Sequence, residues 1–181
     1  MPLDETIKGA IELSLLLVVT LCALTDILEH RIPNVVLFPA LLLALLFNAL
    51  LGGIPGLVDC VLGLLVGLAV LFPFYIVGGT SAGDVKLLGV VGAFLGIHGA
   101  WIAGAATLVF GGVLGVLFIV WRVVEPILAM HVAQLVRFGG PLAPPPRYKS
   151  AKNDFPYAPA IALGTLFSLW RLDFFIQGGV S

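Results

Sequence analysis

Charge is scarce in this chain. Only 10% of its 181 residues are Asp, Glu, Lys or Arg, where a soluble domain carries about a quarter. So little charge excludes a water-soluble globule and a disordered chain. Nine Lys and Arg stand against ten Asp and Glu, for a net charge of −1. No basic patch is available to hold nucleic-acid phosphates. Cysteine is limited to Cys22 and Cys60, both within apolar runs and not in metal-ligand spacing. They read as buried thiols. No His-Glu-x-x-His pattern occurs, which removes the main signature of a helical metalloprotease. No metal and no cofactor are expected. A basic n-region is missing too: Asp4 and Glu5 stand near the N-terminus, and the long apolar run behind them has no small-x-small cleavage site. That run reads as a span, not a removable signal peptide, and Leu21 just before Cys22 argues against a lipoprotein.

What the chain has in excess is apolar surface. Hydrophobic residues make up 60% of it, and the mean hydropathy is +1.15. Such a chain must dissolve in lipid, so residues 1–181 are expected to form one all-α, polytopic transmembrane helical bundle. A span needs about 20 apolar residues. The candidates are Ile7 to Thr25, Val35 to Leu51, Leu57 to Val77, Trp101 to Trp121 and Tyr157 to Ile176. Val85 to Ile97 is short for a span and reads as a helix reaching part-way or a re-entrant segment. The total is about six. Gly52-Gly53-Ile54-Pro55 and Gly78 to Gly83 are turns. Residues 122–156 form a polar connection, beginning as an amphipathic stretch with Glu125, Pro126, His131, Gln134 and Arg137 and continuing through Pro144-Pro145-Pro146.

In the six-span arrangement Arg31, Lys86, Arg122, Arg137, Arg147, Lys149 and Lys152 fall on one side. Lys8 and Arg171 fall on the other. Positive charge marks the cytoplasmic face, so both termini are expected outside the inner (plasma) membrane. Trp101, Trp121 and Trp170 lie near span ends as aromatic anchors. Glycines recur at helical spacing in Gly63/Gly67, Gly89/Gly92/Gly96/Gly99 and Gly111/Gly115, as close packing of helices in lipid requires.

Charges in or beside spans cost roughly 2.5–3.5 kcal/mol each at a helix centre. Asp26 ends the first apolar run and Asp84 begins the fourth. The chain crosses out and back between them, so both carboxyls are expected at the cytoplasmic boundary. Two close carboxyls cannot both ionise cheaply, and one keeps a proton while the other is charged. Such a pair can deprotonate a water and then protonate a leaving amine. The competing structural reading of each is a helix cap or an interface marker. Lys86 either supports ionised Asp84, receives an acidic substrate residue, or snorkels to the interface. Glu29 and His30 read as solvated loop residues, Asn153 and Asp154 as caps of the last helix, and His98 and His131 as boundary histidines.

Three pieces in order carry a resemblance. They are Asp26 with Ile32-Pro33-Asn34, then Gly83-Asp84-Val85-Lys86-Leu87-Leu88, then Phe155-Pro156-Tyr157-Ala158-Pro159-Ala160 opening the last span. With this span pattern the chain resembles the prepilin peptidase family, membrane aspartic endopeptidases of the Gly-x-Gly-Asp class. The resemblance implies Asp26 and Asp84 as the catalytic pair; the residues beside Asp84, Gly83 with Ser81 and Lys86, are expected to shape the substrate approach. It further implies a prepilin or pseudopilin substrate trimmed at the cytoplasmic membrane face. Ser81 departs from the strict motif, which has glycine there, and reduced loop freedom is expected from it. The paired Cys-x-x-Cys region of larger members, which also N-methylate their product, is not seen, so the resemblance is to the short peptidase-only branch.

Other readings exist. Gly79-Thr80-Ser81-Ala82-Gly83 fits the Gly-x-Ser-x-Gly nucleophile pattern, though no strand precedes it and only His98 and His131 follow. On that reading Ser81→Ala abolishes activity; on the aspartyl reading it is mild. A small transporter, or a catalytically inactive homologue serving as an assembly scaffold, is the non-enzyme alternative, since intramembrane carboxyls also serve ion paths.

Overall fold

Long apolar runs broken by few residues produce few, very long helices. The computed structural model describes residues 2–29, 32–136 and 157–178. Four helices lie within them: α1 (Pro2–Glu29), α2 (Asn34–Ile76), α3 (Ala82–Val136) and α4 (Ala158–Gly178). His30, Arg31 and the connection 137–156, with its prolines, Asn153, Asp154, Phe155 and Pro156, lie outside the described residues, as do the side chains of His131 and Gln134. Among the described residues, three helices are long and apolar enough to cross a membrane. Leucine, valine, isoleucine and phenylalanine side chains stand exposed along them, as lipid-facing surfaces must.

Helix length bears directly on the six expected spans. Helix α2 has 43 residues, about 65 Å if straight, twice what the ~30 Å hydrocarbon core accommodates. It is not straight. Gly53, at φ 55 and ψ −134, leaves helical geometry, a conformation that residues with a Cβ rarely adopt. Helix α3, 55 residues long, breaks likewise at Gly96, φ 69 and ψ −176. The first arm of α3, Ala82 to Leu95, is about 20 Å long. It matches the short fourth segment expected from the sequence. From Gly96 the second arm runs unbroken through Arg122 to Val136, so the start of the polar connection is a helical continuation.

The break at Gly96 is held by polar side chains of α2. The Ile97 N–H, freed at the Gly96 break, donates to Asp59 Oδ1 at 3.1 Å. Asn48 Nδ2 donates to Ala44 O at 2.9 Å and to Ala93 O at 3.1 Å, joining the first arms of α2 and α3. Between the second arm of α2 and the first arm of α3 the backbones nearly touch. A Cβ on Gly63 would run into the Gly92 carbonyl, and one on Gly67 into the Leu88 carbonyl. This antiparallel seam makes the first arm of α3 the centre of the bundle, with Leu87, Leu88, Val90, Val91, Ala93 and Phe94 all buried. Cys22 and Cys60 are buried free thiols.

Candidate active site

The buried stripe of α1 runs Leu15, Val18, Val19, Cys22, Asp26. This is helical periodicity, and it carries the Asp26 carboxyl onto the inner face, where the residue is 6% exposed. Its Oδ2 accepts a hydrogen bond from the Ala158 N–H at 3.0 Å. That N–H belongs to the first residue of α4, where backbone donors lack helical partners and the helix dipole favours negative charge.

Asp84 reaches the same region through two caps placed back to back. Helix α2 ends when Gly78, at φ 81, lets the Gly79 N–H reach Phe74 O at 2.8 Å and the Gly78 N–H reach Tyr75 O at 3.0 Å. This pairing is a Schellman motif. Ser81 then opens α3. Its hydroxyl accepts the Asp84 N–H at 3.3 Å, and its own N–H donates to Asp84 Oδ2 at 2.9 Å. The two bonds form a reciprocal capping box. Asp84 is 2% exposed. Its other oxygen, Oδ1, is buried and has no hydrogen-bond partner among the described residues.

The two carboxyls lie within each other's electrostatic reach. Tyr157 lies within reach of Asp84, and its hydroxyl end packs against Gly111. Its carbonyl accepts the Ala160 N–H at 3.0 Å and the Ile161 N–H at 3.3 Å, so Tyr157 opens α4 immediately before the donor to Asp26. Three helix ends therefore converge on one polar cluster. Beside it lies an open groove of about 590 Å³, bordered by Phe74, Gly78, Gly79, Tyr157 and the stretch of α3 from Leu108 to Val123.

The remaining sequence-picked residues have plain positions. Gly83 is helical, and a Cβ there would come within 3.1 Å of the Ile32 side chain, so its smallness admits the turn after α1. Asn34 accepts from Lys86 Nζ at 3.3 Å. The Ile32-Pro33-Asn34 piece thus docks the start of α2 onto the start of α3. Lys86, Glu29 and His98 are exposed. From Ser81 to His98 is about 25 Å along α3, too far for a serine–histidine pair. No cluster of three or more His, Cys, Asp or Glu side chains suited to a metal occurs among the described residues. Sequence reasoning did not identify the Ala158 N–H as a donor to Asp26, nor Asp59 and Asn48 as side chains that fasten the break at Gly96.

No curated protein and no solved structure matches the chain significantly. The type IV leader peptidase family, peptidase family A24, matches residues 13–120, a stretch that contains both aspartates, and the chain belongs to that family.

Proposed function

We propose that this protein is a membrane aspartic endopeptidase that removes the leader peptide from prepilins or pseudopilins at the cytoplasmic membrane face, with Asp26 and Asp84 as its catalytic pair. The observation that supports the reading is a pair of buried carboxyls within electrostatic reach of each other, each with one oxygen held by a backbone N–H at a helix start. One carboxylate takes a proton from water as the oxygen attacks the scissile carbonyl carbon. The protonated partner gives its hydrogen to the carbonyl oxygen. Collapse of the resulting diol breaks the C–N bond, and a proton passes to the leaving amine. Neither a metal nor a nucleophilic side chain is needed.

The membrane arrangement belongs to the same proposal. Six crossings arise if α1, both arms of α2, both arms of α3 and α4 each traverse the bilayer, with the short first arm of α3 buried in protein. The ends of α1 and α2 and the starts of α3 and α4 then share the cytoplasmic side, and both termini lie outside. The groove beside Tyr157 gives a substrate chain room to approach from the bilayer. The serine-hydrolase reading loses support, because the Ser81 hydroxyl is engaged by the Asp84 N–H and the described histidine is remote.

The test is cleavage of a leader-bearing pilin peptide by the purified protein in nanodiscs, with the new N-terminus read by mass spectrometry. Asp26→Asn and Asp84→Asn should each stay folded and lose activity by at least about a thousandfold. Normal trimming by either variant would overturn the pairing.

A further inference from the structure

We infer that Ser81 is a positioning residue for Asp84, and that its capping box replaces the backbone freedom that glycine gives the strict family motif. The inference rests on the reading of Asp84 as catalytic, and it changes what Ser81 is for. The sequence assigns Ser81 to the substrate approach. In the fold its hydrogen bonds run to Asp84 instead, one from each residue to the other.

The geometry has a specific consequence for the carboxyl. Oδ2 is bonded at 2.9 Å to the Ser81 N–H, and an oxygen that accepts from an N–H is a poor place for a proton. Oδ1 is buried with no partner among the described residues. The proton that the pair shares, or the water that it activates, is thereby directed to Oδ1. The Ser81 hydroxyl holds this arrangement by satisfying the Asp84 N–H, a donor that otherwise lacks a helical partner in the first turn. Without it the first turn of α3 is free to fray, and the carboxyl swings with its backbone. The Val85 N–H to Ser81 carbonyl contact, at 3.4 Å, is long and does little to prevent this.

Capping physics fixes the order of substitutions. Serine and threonine cap through their hydroxyls, glycine loses only a few tenths of a kcal/mol, and alanine loses most. The experiment is steady-state cleavage of a leader-bearing pilin peptide by the full chain in nanodiscs, comparing Ser81→Thr, Ser81→Gly, Ser81→Ala and Asp84→Asn. The expected order of kcat is wild type, then Thr close to it, then Gly down about twofold, then Ala down about tenfold. KM should stay within twofold throughout, since the hydroxyl acts through Asp84 and not on substrate. Inactive Asp84→Asn beside a fully active Ser81→Ala would overturn the inference and leave the aspartyl reading standing. Loss in KM rather than kcat would return Ser81 to the substrate and overturn it too. Complete loss in both Gly and Ala would favour a nucleophilic serine. An active Asp84→Asn would overturn the reading on which the inference rests.

Discussion

A methyl group added at Gly111 should reach the proposed active site through a single side chain. A Cβ there would meet the hydroxyl and ring of Tyr157, whereas a Cβ on the next residue, Gly112, would meet nothing within 4 Å. Both positions lie in the same arm of α3, and both Gly→Ala changes gain about 1 kcal/mol of helix propensity. Their difference therefore isolates the contact with Tyr157. Overpacking of this kind costs about 1–3 kcal/mol. Tyr157 cannot simply swing away. It is 9% exposed, its carbonyl is tied into the first turn of α4, and the peptide that follows carries the N–H bonded to Asp26. A displaced Tyr157 drags that donor with it. If the strain falls on the reacting state, kcat/KM for Gly111→Ala should drop about five- to a hundredfold, while Gly112→Ala stays within twofold. Tyr157→Phe removes the atom that the new methyl meets first. In the double variant part of the loss should return, as a coupling of about 1 kcal/mol. The assay is leader cleavage kinetics of the wild type and these four variants in nanodiscs. Equal rates for Gly111→Ala and Gly112→Ala would refute the proposed route from Tyr157 to Asp26.

Three further outcomes follow from the packing. Gly63→Ala forces a Cβ into the Gly92 carbonyl and should lower stability by about 1–3 kcal/mol, whereas Gly115→Ala, where nothing lies within 4 Å, should gain up to about 1 kcal/mol of helix propensity; thermal unfolding in detergent compares them. Thr107 is fully buried with a hydroxyl that has no partner among the described residues. Thr107→Val keeps its shape and should be neutral or stabilising by up to about 1 kcal/mol, read in the same melt. Asp59→Ala deprives the Ile97 N–H of its acceptor and should cost about 0.5–2 kcal/mol. Asp59→Asn, which keeps an acceptor oxygen, should recover most of that, and amide exchange at Ile97 reports it directly.

The helical class and the division of the chain were legible because hydropathy and turn residues act locally. Gly52 to Pro55 reads as a turn, and the break falls at Gly53. Gly78 to Gly83 reads as a loop; the Schellman cap and Ser81 of the capping box fall there, but α3 has already begun at Ala82. The shortness of the segment before Ile97 was visible as well. Its cause was not, because the break at Gly96 is fastened by Asp59, which belongs to another helix. Likewise nothing local to Ala158 announces that its N–H meets Asp26. Ser81 is a different case. Its signal was in the sequence, since Ser81-x-x-Asp84 is the spacing of a capping box. The glycines on either side point instead to a loop shaping the substrate approach, with the Gly-x-Ser-x-Gly nucleophile as a minor alternative.

The placement of both aspartates at helix ends, and not at helix centres, follows from the energetics of charge in lipid. A carboxylate at a helix centre costs roughly 2.5–3.5 kcal/mol. A hydrogen bond from a backbone N–H to a charged group returns about 1.5–3 kcal/mol, and a helix N-terminus adds about 0.3–1 kcal/mol. One carboxylate held by a free N–H at a helix start is thus close to neutral in free energy, and mid-helix no free N–H exists to do this. Asp84 uses the N-terminus of its own helix, whereas Asp26, at the C-terminal end of α1, has an unfavourable dipole beneath it and borrows the N-terminus of α4. That borrowing gives the Tyr157-Ala158 segment its position: α4 has to begin where α1 ends. Each carboxyl has one such donor, but two negative charges brought close together in a poorly solvated pocket repel each other, and that repulsion disfavours ionising both. The site therefore holds one charge and one proton comfortably, the state from which a paired-carboxyl hydrolysis begins.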